Sequence, residues 1–88
     1  MNEKTPGTKS IKDLRIEIDH CDDTILEMIK QRTEISRQIG RIRAAEGGPR
    51  IVPAREVQIR EHYSELGPEG DELADILLRL GRGASEKP

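Results

Sequence analysis

The chain contains no phenylalanine and no tryptophan, and Tyr63 is its single tyrosine among 88 residues. Burial must therefore come from Ile and Leu, and the aromatic platforms on which nucleic-acid bases stack are missing. Cys21 is the one cysteine, so a disulfide within the chain is excluded and a reducing, cytoplasmic setting is expected. No apolar run is long enough to span a bilayer, and the opening "MNEKTPGTKS" lacks the apolar stretch of a secretory signal, so a soluble protein is expected. The net charge of -2 gives none of the basic excess of a nucleic-acid or anionic-membrane binder. His20 and His62 are far apart and have no companions at metal-ligand spacing. Strand-like alternation and internal repeats are also missing.

What the chain does have is charge, 36% of its residues, with ten arginines to five lysines. Arginine is the better group for two-pronged recognition of carboxylates. The other conspicuous feature is a seam. Steps of three and four from Ile11 meet Leu14, Ile18, Cys21, Ile25, Met28, Arg32, Ile35, Ile39 and Ile42, which is one helical face interrupted by a single arginine.

Ser10, with Asp13 three residues later, forms a capping signature, and the seam runs through Gly40 to Ile42. A helix over about residues 10 to 44 would be roughly 50 Å long. After "AEGGPRIVPAR" a second helix starts near Pro53, and a third follows the turn "LGPEG". Val52, Ile59, Tyr63 and Leu66 mark the inner face of the second; Leu73, Ile76, Leu77 and Leu80 mark that of the third. Gly81 and Gly83 are expected to end it. The expected organisation is a disordered segment over 1–9, a helical domain over 10–81 and a flexible tail over 82–88. Two short helices cannot cover so long a rod. The fold class is therefore all-α, three helices per chain in an intertwined homodimeric bundle.

Arg32 has two readings. It can set register in a helical pair with its guanidinium reaching solvent, or it can face a cavity and meet an anion, since a buried guanidinium needs a partner. Arg43 lies eleven residues on, roughly 16 Å along the axis, and Arg55 and Glu56 open the second helix. Together these would form a cationic pocket with one acid; equally, Arg55 and Glu56 can be solvated neighbours.

"LRIEIDHCDDTILEMIKQRTEISRQIGRIR", then "RIVPAREVQI", resembles the all-helical chorismate mutases over about residues 11 to 66, in order and spacing. The compact loop and "YSELGPEGDELADILLRLGRG" are similar to the small actinobacterial subclass of that family. The resemblance implies an isomerase that converts chorismate to prephenate, on the route to phenylalanine and tyrosine, without cofactor or metal. It implies that Arg32 grips a carboxylate and that Arg43 binds a carboxylate and the ether oxygen. Arg55 would complete the anion clamp, Glu56 would engage the ring hydroxyl or the ether region, and Arg15 would reach into the partner chain's site. Val52 stands where many relatives have an aspartate, and the third helix lacks the serine and glutamine that larger relatives supply. Arg82 would reach the pocket if the tail folds over it. A further implied partner is the heptulosonate-phosphate (DAHP) synthase, docking through the loop and C-terminal tail and activating the mutase. An isochorismate-pyruvate lyase on the same scaffold and a non-catalytic dimerisation module are the alternatives; neither nucleic acid nor membrane is an expected partner.

Overall fold

The computed structural model describes residues 8–83. Most of the two terminal segments expected to be disordered or flexible, 1–7 and 84–88, lies outside the described residues. Helix α1 spans Ile11–Ala45, α2 Pro53–Tyr63 and α3 Pro68–Arg82, with a short 3-10 turn, Ser64–Leu66, between the last two. No strand occurs among the described residues. The all-α expectation holds.

Each helix starts where local chemistry favours it. Ser10 Oγ accepts from the Asp13 amide at 3.0 Å, and the Asp13 carboxylate accepts from the Ser10 amide at 3.4 Å, closing a reciprocal cap. At the other end of α1, Gly48 N–H donates to the Arg43 carbonyl at 2.8 Å and Gly47 N–H to the Ala44 carbonyl at 3.1 Å. These crossed bonds stop the helix and satisfy two of its last carbonyls. Pro53 and Pro68 occupy first-turn positions of α2 and α3, where a missing N–H costs nothing. Thus α3 begins inside "LGPEG" rather than after it: Pro68, Glu69 and Gly70 are already helical, and Glu69 and Asp71 sit at the positive end of the helix dipole.

The end of α3 also differs from expectation. Gly81 does not terminate the helix, and Arg82 belongs to its last turn instead of to a tail. The reason is packing. A Cβ at Gly81 would lie 2.4 Å from Ser36 Oγ, so the glycine is where α3 closes onto α1. Contact with another helix outweighs the helix-breaking tendency of that residue.

Helix α3 packs on both α1 and α2 and so joins the other two. Arg60 of α2 reaches Asp71 at 3.2 Å and Asp75 at 3.0 Å, and Arg79 meets Asp75 at 2.9 Å, which clamps the α2–α3 hairpin. Hydrogen bonds that Arg60 donates to Asp75 first and Asp71 second hold the pKa of its guanidinium above the ordinary value. Among the described residues only Ala74 and Leu77 are buried hydrophobics, both on α3. No residue of α1 is buried. Ile11 is 69% exposed, Ile18 59%, Ile25 53% and Met28 50%. Arg32 is half-buried because the crossing of α3 falls just there.

Candidate active site

An open cleft of about 1230 Å³ lies between the second half of α1, the loop that follows it, the first turns of α2 and the end of α3. Its lining includes Arg32, Arg37, Arg41, Arg43, Arg50, Arg55 and Arg82, against one carboxylate, Glu56. The Gly/Pro loop is short, so α2 starts close to where α1 stops. One guanidinium from mid-helix, one from the helix end and an Arg-Glu pair from the facing helix therefore border the same space.

Each of these side chains is held differently. Arg32 Nη1 donates to the Leu77 carbonyl at 3.3 Å, which ties the seam arginine to α3 with one of its five N–H groups. Arg37, one turn later, donates to the Leu80 carbonyl at 3.3 Å, at the negative end of the α3 dipole. Arg43 is half-buried in the last turn of α1, with its side-chain stem against Gly48. Arg55 Nη1 donates to Gln58 Oε1 at 3.2 Å on its own helix, keeping it near the rim. Glu56 and Arg82 form an ion pair across α2 and α3 in which the side chains are 22% and 20% exposed. Val52 is half-buried and gives the wall an apolar patch.

Of the residues singled out in the sequence, Arg32, Arg43, Val52, Arg55, Glu56 and Arg82 border the cleft. Arg15 does not: it is exposed, seventeen residues before Arg32 on the same helix, roughly 25 Å away. Arg82 reaches the cleft from a helix, through its bond to Glu56, and needs no folded-over tail. Sequence reasoning passed over Arg37, off the seam, and the loop glycine Gly48; no spacing rule marks them. Three or more His, Cys, Asp or Glu in metal-binding proximity do not occur among the described residues. Nor is any described helix long and apolar enough to cross a membrane. What the arrangement can do is surround a small polyanion with fixed positive charge and offer it one hydrogen-bond acceptor.

The family model described as chorismate mutase type II matches residues 14–82, which takes in α2, α3, all but the first three residues of α1 and every cleft residue up to Arg82. The chain belongs to the type II chorismate mutases. It is 55% identical over 73 residues to the intracellular chorismate mutase of Mycobacterium tuberculosis, covering 83% of this chain and 70% of that protein. With the protein of the same description from Mycolicibacterium smegmatis it shares 51% over 84 residues, 94% of this chain and 81% of the relative. Among solved structures it matches a chain of the non-covalent complex of DAHP synthase and chorismate mutase from Corynebacterium glutamicum with bound transition state analog. The TM-score is 0.79 at 49% identity, covering 83% of this chain and 89% of that one. The chain is thus an isomerase acting on chorismate, and the lyase and the non-catalytic module give way to this membership.

Proposed function

We propose that the arginine-lined cleft binds chorismate as a dianion and rearranges it to prephenate, with Arg32, Arg43, Arg55 and Glu56 as the residues that touch it. The observation that carries this reading is the convergence of α1, the loop, α2 and α3 on one cleft lined by seven arginines and one carboxylate. The reaction is unimolecular: the ether C–O bond breaks as a C–C bond forms, and no proton has to move. A protein can speed it by holding the enolpyruvyl arm over the ring and by placing positive charge at the ether oxygen, which gains negative charge in the transition state. Arg32, anchored to α3, grips a carboxylate. Arg43 binds a carboxylate and stabilises the ether oxygen, and Arg55 turns inward from the rim to close the clamp. Glu56 accepts from the ring hydroxyl, and Arg82 holds that carboxylate in place. Val52 contributes shape and no polar contact.

The site is completed by a second copy. The apolar stripe from Ile11 to Met28 is uncovered within the described residues and continues the seam that leads to Arg32. A homodimer that pairs this stripe carries Arg15 towards the partner's cleft, which its own helix cannot do. A further partner is a DAHP synthase, supported by the assembly in which the Corynebacterium relative was solved; docking through the loop and the C-terminal tail would activate the mutase.

The test is turnover of chorismate by purified wild-type protein and by Arg43→Ala, each alone and with the synthase. Loss of one such donor is expected to lower kcat by about 100-fold or more while the helical spectrum is kept. A folded Arg43→Ala protein with wild-type turnover would overturn the assignment. Truncation after Gly83 addresses docking separately: unchanged binding and activation by the synthase would remove the tail from that role.

A further inference from the structure

Two neighbouring glycines follow α1, and the structure requires glycine at each for a different reason. Gly47 has φ +78°, in the left-handed region, and a Cβ there would meet nothing within 4 Å. Its constraint is the backbone alone. Gly48 is not among the positive-φ glycines, and it precedes Pro49, which favours extended backbone that alanine adopts easily. Yet a Cβ on Gly48 would lie 2.8 Å from Arg43 Cγ and 3.6 Å from Arg43 Cδ.

That contact is with the root of the arginine side chain, not with its mobile tip. Cγ is placed by χ1, and inside a helix a long side chain has in practice two χ1 wells. Displacing Cγ from one leaves the other, and the guanidinium, several bonds further out, swings by several ångströms. Gly48 N–H meanwhile donates to the carbonyl of the same Arg43 at 2.8 Å, so the loop cannot back away without losing a bond that ends α1.

We infer that Gly48 is a positioning residue for the rearrangement: the absence of a side chain at this loop position leaves open the χ1 well that Arg43 occupies and so keeps its guanidinium on the cleft. The inference rests on the role proposed for Arg43. It makes the loop a determinant of transition-state stabilisation although Gly48 itself has no group to offer the substrate.

The experiment is a double-mutant cycle on the full chain with Gly48→Ala, Arg43→Ala and the pair, reading kcat, KM and Tm. Gly48→Ala is expected to lose between about tenfold and 100-fold in kcat, as a misaimed group does, with Tm close to wild type. In the Arg43→Ala background, where Cγ is gone, adding Gly48→Ala should cost nothing further, because the two changes act through one side chain. Wild-type kcat in Gly48→Ala, a loss that merely tracks the unfolded fraction, or additive losses in the pair would each overturn the inference while leaving Arg43 in the site. An unimpaired Arg43→Ala would instead remove the role on which both readings stand.

Discussion

Replacing Ile18 and Ile25 together by alanine should weaken the pairing of two copies. In one chain Ile18 is 59% exposed and Ile25 53%. Full burial of an isoleucine side chain stabilises by roughly 1.5 to 3 kcal/mol, so covering the exposed half contributes about 1 kcal/mol at each position. A twofold interface counts every position twice, which makes about 4 kcal/mol for the two sites. Removing most of that raises the dissociation constant by between about 100-fold and 1,000-fold. Alanine is a better helix former than isoleucine, so the local helix preference of α1 is not lowered and the loss falls on the pairing. Sedimentation across a dilution series reads the constant, and turnover per chain over the same series should fall as the variant dissociates, because Arg15 then has no cleft to enter. The reasoning is refuted if wild-type protein sediments as a folded single chain at micromolar concentration, or if both isoleucines can be cut back with no change in association.

Two further outcomes follow from other parts of the structure. Gly81→Ala puts a methyl group 2.4 Å from Ser36 Oγ, an overpacking that should cost about 1 to 3 kcal/mol. This exceeds the gain of up to about 1 kcal/mol that alanine brings to a helix interior, so a thermal melt should show a lower Tm, and a higher one would mean that the helices are not in close contact there. For the cleft, a dianion held by several guanidiniums is screened by salt: raising KCl from about 0.1 M to about 1 M shortens the Debye length from about 10 Å to about 3 Å. KM should rise several-fold with little change in kcat; a flat KM would argue against charge as the source of binding.

The long helix was legible because its signals are local. Ser10 and Asp13 cap it, the seam has one period from Ile11 to Ile42, and the loop glycines stop it. Pro53 and Pro68 also act locally, although the start of α3 inside "LGPEG" shows that a proline preceded by glycine reads equally as a turn or as a first helical turn. What was not legible depends on which surfaces meet. The seam pattern marks Arg32 as exceptional but cannot tell that α3 crosses at that point and offers the Leu77 carbonyl. Gly81 reads as a stop until Ser36 is seen against it, and only then does Arg82 move from tail to helix. Arg37 and Gly48 have no periodic signature, because one answers to the end of another helix and the other to a side chain five residues back.

The bare flank of α1 has a consequence for dose. A chain in which only Ala74 and Leu77 are buried hydrophobics among the described residues gains little from folding by itself, and whatever covers the flank stabilises it by mass action. If that cover is another copy, the amount of working enzyme rises more steeply than the amount of chain made. Halving synthesis would then remove more than half of the activity, and the first molecules translated in a cell would wait, exposed to proteases, until enough others had accumulated to shelter them.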